Sequence, residues 1–471
     1  MKPITDQLKI AVTDIRFWIF IFFLIRLYGI TNPPLEVAHN WRQTTVTMVA
    51  RNFYEVDANV FYPRIDFAGE KTGITGMEFP FFNYLIYLVS LLFGYQHWYG
   101  RLINLIVSSF GIMYFFKLAE KYFSPKIAFN AAFILLVSLW FCYSRKIMPD
   151  TFSMSLLFIG MFYGSNYLDR GNKTRDLLFY FIFCLVATLS KISSAYILVV
   201  FAPLILDSKI AVKPKIIFLF SSLIYLSVVS SWYFYWVPFL VKEYGFWHFF
   251  MGKSFAEGAN DIWNNLNNAL SRFYDTSLKY TGFAAFVAGL FLMFKRGERR
   301  LAYTFLFAFP AFLILVFKEG FNFSHHTYYV IPFVPVMALV AGYAVSAITN
   351  KKIAFIVLLA IAVEGILNQQ HDFRIKDKDE KLLQLESDLD KFSKRNDLVI
   401  FNCGQYPTPM YFAHRKGWVD TNEKISDPSY INDLKTKGLK YIIILKQTFG
   451  TEIKINYNMV LDNESYAIYK L

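Results

Sequence analysis

The sequence predicts a polytopic α-helical membrane protein that carries a small α/β domain behind its last span. Three observations predict it. The chain is 55% hydrophobic and only 18% charged, whereas soluble domains sit near about 45–50% apolar and about 25% charged. Its apolar residues run in blocks such as Phe17–Ile25, Ile127–Trp140 and Ile353–Val363, with short Lys/Arg clusters between blocks. After Leu367 the long blocks stop, and charged and alternating stretches replace them.

The net charge of +13 raises the question of a nucleic-acid partner. The cations sit in short connections between apolar runs, the positive-inside pattern of a membrane protein, so the expected partner is the bilayer and no nucleic acid. Lys2, Lys9 and Arg16 precede the first apolar run. No small-residue cleavage site follows it, so it reads as a retained first span. Cys142, Cys184 and Cys403 lie far apart and form neither a disulfide framework nor a zinc knuckle.

The basic connections order the spans. Lys117–Lys126, Asp169–Arg175, Asp207–Lys215 and Lys295–Arg300 are compact and basic, and Asn350–Lys352 is a fifth. Placing them in the cytoplasm with the N-terminus gives about eleven helices, near 17–30, 100–118, 127–144, 152–168, 176–190, 195–206, 216–238, 281–294, 301–317, 328–348 and 353–367. The run Phe79–Phe93 is the hinge of this scheme. A span needs about 20 apolar residues; this run is shorter and interrupted by Asn83, so it reads as an interfacial or re-entrant helix on the outer face.

Three segments then face outward: Thr31–Tyr99, Phe239–Tyr280 and the chain beyond Leu367. The expected division is 1–367 as the transmembrane domain, including the first loop 31–99, and 368–471 as an extracytoplasmic α/β domain. In that tail Lys376–Lys394 reads as a charged helix, and Leu398–Asn402, Tyr441–Leu445 and Tyr466–Leu471 read as strands.

Polar and aromatic residues that can do chemistry concentrate on the outer face. The first loop holds Glu36, His39-Asn40-Trp41-Arg42-Gln43, a helical stretch Thr44–Tyr54, Tyr62-Pro63-Arg64-Ile65-Asp66, a Gly-punctuated turn and Glu78-Phe79-Pro80. The plain alternative is a solvated cap. Arg145-Lys146-Ile147-Met148-Pro149-Asp150-Thr151 forms a tight turn between two spans. Asp150 there is either the N-cap of the next helix or an acid held beside two cations at the bilayer boundary. His325, His326 and Tyr329 stand at the mouth of a later span, where they are either belt residues or ligands for a phosphate oxygen or a metal. Lys191 falls in a short outer turn and supports no midplane transport site.

These motifs, in order, resemble glycosyltransferase family 39 and its GT-C fold, the group of protein O-mannosyltransferases and lipid A aminoarabinose transferase. The resemblance rests on His39-x-Trp-Arg-Gln43, Ala50-Arg-Asn-Phe-Tyr54, Tyr62-Pro-Arg-x-Asp66, Glu78-Phe-Pro80, Met148-Pro-Asp150 and His326-x-Tyr-Tyr329, and covers about residues 10–370. It implies an inverting transferase in a bacterial cytoplasmic (inner) membrane that moves a sugar from a polyprenyl-phosphate donor to a protein, lipid or glycan acceptor at the extracytoplasmic face. Arg42, Arg64, Arg145 and Lys146 would hold the phosphate, with His325, His326 and Tyr329 beside the donor. No nucleotide cofactor is expected, because the usual Gly-rich phosphate loops are missing from the sequence.

The chain departs from the family at one point. His39-Asn40 stand where the family often keeps an adjacent acidic pair. Asp150 matches the second family acid and is the first choice for an essential carboxylate; Glu36 and His39 are the candidates for the first-loop role. Glu78 matches an acid that helps hold a metal in the aminoarabinose transferase, and the Lys that follows it there is Phe79 here. A divalent cation on Glu78 with His248 or His326 is the corresponding expectation. Two other readings stand beside this one: an O-antigen ligase or polymerase with a pyrophosphate-linked donor, and a non-enzymatic transporter or flippase.

Overall fold

The structure, a computed structural model, describes residues 12–246 and 252–471. The chain divides into two compact units: Met1–Ile30, Arg101–Tyr233 and Phe250–Gln370 form the first, and Thr31–Gly100, Phe234–Phe249 and His371–Leu471 the second.

The first unit is helical. Its helices begin and end where local chemistry says they should. Ser124 caps Pro125–Val137 by accepting from the Ile127 N–H, and Pro125 supplies the fixed φ of a first helical position. Asn350 caps Lys351–Leu367 in the same way, through the N–H groups of Lys352 and Ile353. Gly297, at φ +65°, ends Lys279–Arg296.

Among the described residues three helices are long and apolar enough to cross a membrane: Tyr99–Tyr122, Val212–Tyr244 and Arg299–Glu319. Two bent pairs, Leu266–Ser277 with Lys279–Arg296 and Lys351–Leu367 with Gln370–Leu389, raise the number to five if each is one span. Several of the eleven expected spans are shorter or interrupted. The stretch expected at 127–144 stops at Val137, and a short helix resumes at Trp140–Tyr143. The Gln369 side chain makes the break tolerable: its amide donates to Ser138 O at 3.0 Å and accepts from Cys142 N at 3.1 Å, so backbone groups freed by the break stay bonded. The stretches expected at 195–206 and 328–348 each open in a 3₁₀ helix, Ile192–Phe201 and Thr327–Val330. The segment Phe239–Tyr280, expected as a loop, contains the helix Phe255–Asn264, started by a Ser254/Glu257 capping box that its S-x-x-E spacing announces.

The basic connections gather at one end of this unit. Lys126 Nζ donates to Ser346 O at 2.8 Å and Ile348 O at 3.3 Å, next to Asn350–Lys352. Lys121 pairs with Asp169 at 2.6 Å, and the Arg300 guanidinium lies 5.9 Å from the Tyr122 ring centre. Pro149–Asp169 has Asp169 at this end and Asp150 at the other. Its 21 residues span about 30 Å at about 1.5 Å per residue, the depth of a bilayer core. It packs tightly on Thr174–Ser190: a Cβ on Gly160 would lie 2.6 Å from Cys184 Sγ, so only glycine allows the approach.

The second unit is built on a mixed sheet of β1 (Leu398–Phe401), β2 (Gly417–Val419), β3 (Leu439–Leu445), β4 (Asn458–Asp462) and β5 (Tyr466–Lys470), in the order β2-β1-β3-β5-β4. β1 runs parallel to β2 and β3; β5 runs antiparallel to β3 and β4. The expected strands correspond to β1, β3 and β5. β2 and β4 are short and mostly half-exposed, so they lack the apolar run that marks a central strand. Lys376–Lys394, expected as one helix, is divided into Asp377–Glu380, the 3₁₀ turn Lys381–Gln384 and Leu385–Leu389.

The two faces of the sheet carry different cores. Ile400, Ile442 and Ile444 pack on Ile431 and Leu434 of the helix Pro428–Thr436. Val399, Phe401, Tyr441 and Ile443 pack on Leu35, Met48, Val49 and Phe53 of the first loop. The loop and the tail therefore share one apolar core, and Thr31–Gly100 groups with His371–Leu471 in the second unit. Within the loop, Gly73 sits at φ +79° and accepts from Ile65 N at 2.9 Å; a Cβ there would lie 2.3 Å from Ile65 O. The helix Phe81–Phe93 has 13 residues, about 20 Å, too short to cross.

Candidate active site

In the first unit the turn at Asp150 is held rigidly. Met148 is the extended N-cap and Pro149 the first residue of the helix, so Asp150 is not the cap but an acid in the first turn, beside the positive helix end. Asn104 donates to Tyr143 O at 3.0 Å and Lys146 O at 2.8 Å. Thr151 Oγ1 donates to Tyr143 O at 3.0 Å. The Asp150 carboxylate is 4% exposed. Its Oδ1 lies 3.6 Å from Lys191 Nζ, and its buried Oδ2 has no hydrogen-bond partner among the described residues.

Lys191 reaches this position because the chain breaks at Ser190. The lysine is extended, φ −160° and ψ 106°, between Thr174–Ser190 and the 3₁₀ helix Ile192–Phe201. Ser153 Oγ, one turn from Asp150, donates to Ala187 O at 2.7 Å and bonds Ser194 Oγ at 2.9 Å, fixing the break to the Asp150 helix. The ammonium also faces two aromatic rings, 5.7 Å from Tyr328 and 5.6 Å from Tyr329. Glu319, at the end of Arg299–Glu319, is within electrostatic reach of Lys191 and Asp150; its buried Oε2 has no partner among the described residues. Two carboxylates and one lysine thus meet at the helix ends opposite the basic connections.

The remaining expected residues of this unit divide. Arg145 and Lys146 are buried, at 1% and 0% exposure. Arg145 Nη2 donates to Gly29 O at 2.8 Å, and Lys146 Nζ lies 5.7 Å from the Tyr143 ring centre. His326 stacks on Tyr328 at 5.5 Å. Burial pushes its imidazole below the ordinary histidine value, and the neighbouring His325 and Arg272 add to that. His325 turns away, stacked on Phe321 at 3.7 Å with Nδ1 bonded to Phe321 O, so the two histidines do not form a ligand pair.

In the second unit, Ala38 and His39 both lie in the left-handed region, φ 63° and 60°, immediately before the helix Asn40–Glu55. Two consecutive non-glycine residues there store strain, a feature concentrated at functional sites. Glu36 is 1% exposed and accepts from Asn32 at 3.3 Å. Arg42 is buried with Glu78, its Nη2 bonded to Oε1. Arg64 pairs outward with Asp57 at 2.7 Å. The Arg51 and Asp66 motifs meet: Arg51 Nη2 bonds Asp66 Oδ2 at 2.7 Å, Asn52 donates to Oδ1 at 2.8 Å, and the guanidinium lies 4.5 Å from the Tyr411 ring centre. Tyr411 OH in turn bonds His97 Nδ1 at 2.8 Å and Tyr95 OH at 2.7 Å.

The metal expectation falls partly outside the described residues, where His248 lies. Arg42 bonds Glu78 Oε1, and Glu78 Oε2 is buried with no hydrogen-bond partner among the described residues. Among the described residues no group of three or more His, Cys, Asp or Glu side chains is arranged around a cation.

Residues 78–236, about a third of the chain, match the family model described as dolichyl-phosphate-mannose-protein mannosyltransferase. That segment contains Arg145, Lys146, Asp150 and Lys191. Over that segment the chain is similar to this family, and its fold is that of the GT-C glycosyltransferases. The fold is shared with ArnT from Cupriavidus metallidurans bound to undecaprenyl phosphate, at TM-score 0.60 and 11% identity over 96% of this chain and 98% of that one. Two further similar structures come from Archaeoglobus fulgidus. The oligosaccharyltransferase in complex with Zn and sulfate aligns at TM-score 0.55 and 14% identity, over 91% of this chain and 67% of that one. AglB in complex with an inhibitory peptide and a dolichol-phosphate aligns at 0.52 and 14%, over 91% and 69%. No curated protein sequence matches the chain.

Sequence reasoning missed two groups at the Asp150 site. Lys191 carried a signal, a lone cation between serines inside an apolar stretch. Glu319 carried a weaker one, an acid at the end of a span just before Gly320.

Proposed function

We propose that this protein transfers a sugar from a polyprenyl-phosphate carrier to a protein, lipid or glycan acceptor, with inversion, at the extracytoplasmic face. The observation that carries the reading is the Asp150 carboxylate, buried beside Lys191 with Oδ2 unpartnered among the described residues. The undecaprenyl phosphate of the ArnT structure and the dolichol-phosphate of the AglB structure support the carrier class. The positive-inside pattern supports the face, because the basic connections lie at the other end of the Asp150 helix.

In this reading the acceptor hydroxyl oxygen attacks the anomeric carbon as its proton passes to Asp150. The bond from that carbon to the phosphate oxygen breaks, and polyprenyl phosphate leaves with the electron pair. Lys191, with Arg145 and Lys146, balances the charge on the departing phosphate in a site of low dielectric. Tyr329 and His326 border the sugar. Glu36, His39, Arg42 and Arg64 are second candidates in the first loop, and His325 a weaker one. No step is routed through a metal ion.

The test is transfer by the purified full chain from a panel of polyprenyl-phosphate sugars, read by product mass, for wild type and Asp150→Asn. A sugar should be transferred by the wild type and not by the variant, with both inserted equally in membranes. Transfer at the wild-type rate by Asp150→Asn would remove this carboxylate from the mechanism.

A further inference from the structure

The first unit holds two adjoining cavities at the end where the basic connections gather, far from Asp150. The larger, about 810 Å³, is apolar and lined by side chains such as Phe115, Ala119, Phe158, Met161, Phe201 and Leu339. The smaller, about 400 Å³, is polar and is lined among others by Asp169, Asn172, Lys209 and Arg300. Tyr122, Leu204, Asp207 and Arg300 line both, so the apolar chamber opens directly into the polar one.

The charges at the junction are mixed. Asp169 is committed to Lys121 at 2.6 Å and to Tyr122 OH at 2.9 Å. Arg300, Lys209 and the half-buried Asp207 have no ion pair among the described residues; Asp207 Oδ1 accepts only the Lys209 backbone N–H at 2.9 Å. Two cations and one carboxylate thus border the mouth of a slot that apolar chains can fill.

We infer that this double cavity binds a zwitterionic glycerophospholipid of the phosphatidylethanolamine type. An acyl chain lies in the apolar chamber, the phosphate meets Arg300 and Lys209, and the head-group ammonium meets Asp207. The mixed charge selects the class. A lipid phosphate without an ammonium leaves Asp207 facing an anion, and the quaternary head of phosphatidylcholine cannot donate a hydrogen bond to it. Filling the slot also removes apolar surface from contact with head-group water. The site is independent of the transfer reaction proposed above.

Native mass spectrometry of the delipidated full chain in detergent, titrated separately with phosphatidylethanolamine, phosphatidylglycerol and phosphatidylcholine of known concentration, tests the inference. Phosphatidylethanolamine should bind at least about tenfold more tightly than the other two. Asp207→Asn should erase that preference while phosphatidylglycerol binds as well or better, and Arg300→Gln should weaken both. Leu339→Trp, which fills the apolar chamber, should displace all lipid while the protein elutes as one folded species. Equal affinity for the three lipids, tighter binding of phosphatidylglycerol to the wild type, or a preference that survives Asp207→Asn would overturn the inference.

Discussion

Lys191 Nζ stands 3.6 Å from Asp150 Oδ1 across a helix break, too far for a good hydrogen bond and close enough for strong attraction in a buried site. The Asp150 Oδ2 is buried without a hydrogen-bond partner among the described residues. An acid with a free buried oxygen beside a cation suits the proposed transfer, in which a proton is accepted as an anion leaves.

Lys191→Met should lower turnover by about 10²-fold, the size of losing one preorganised electrostatic donor, with Lys191→Arg recovering part of it. Steady-state kinetics separate two roles. If Lys191 holds the phosphate, KM for the lipid donor rises as well. If it only positions Asp150, KM stays and the acid limb of the pH profile moves up.

Glu36 and His39 compete for the place where the resemblance expects an acid. Glu36→Gln and His39→Ala should differ in turnover, and the one that falls by about 10²–10⁴-fold is the proton-handling group. Unchanged turnover in both would exclude the first loop as the source of the base.

The Arg51–Asp66 pair is buried and fully bonded, so its part is architectural. Arg51→Met leaves the Asp66 carboxylate without its cation, a loss of about 3–5 kcal/mol for a buried pair. A thermal midpoint measured in detergent should drop sharply. The double variant Arg51→Met/Asp66→Leu should regain part of the drop, since no buried charge then remains unpaired.

His414 joins two segments of the second unit, with Nε2 2.7 Å from Glu55 Oε2 and Nδ1 3.0 Å from Glu386 Oε1. Burial disfavours the imidazolium, but the hydrogen bonds to Glu386 and Glu55 outweigh it and hold His414 above its ordinary value. The hydrogen bond from His414 brings Glu386 down to about 2. The raised histidine stabilises the fold fully below its unfolded value near about 6.5 and loses that contribution as pH rises through the folded one. The depressed Glu386 contributes above its unfolded value near about 4.3 and loses it as pH falls toward the folded one. Stability should therefore be greatest between roughly pH 4.5 and 6.5 and decline as pH rises above that range. His414→Gln should flatten the alkaline side of that curve; an unchanged slope would assign it to other groups.

Much of this protein is legible without coordinates. Long apolar runs must be helices in a bilayer, because only helices satisfy their own backbone there. The basic connections, read as one side, do gather at one end of the first unit. The unbroken β-branched apolar run Tyr441–Leu445 and the order of motifs around Asp150 carried the tail strand and the essential acid as expectations. What the sequence could not supply were relations between distant segments. Whether a Gln at 369 can hold open a break at Ser138 depends on two helices meeting. That Leu35, Met48 and Phe53 pack on β1 and β3 depends on a shared core, and burial is a property of the folded chain and not of any window of it. Lys191 makes the same point for the site. As one cation among serines it reads as a turn residue; only the packing of its helix against Pro149–Asp169 brings the ammonium to Asp150.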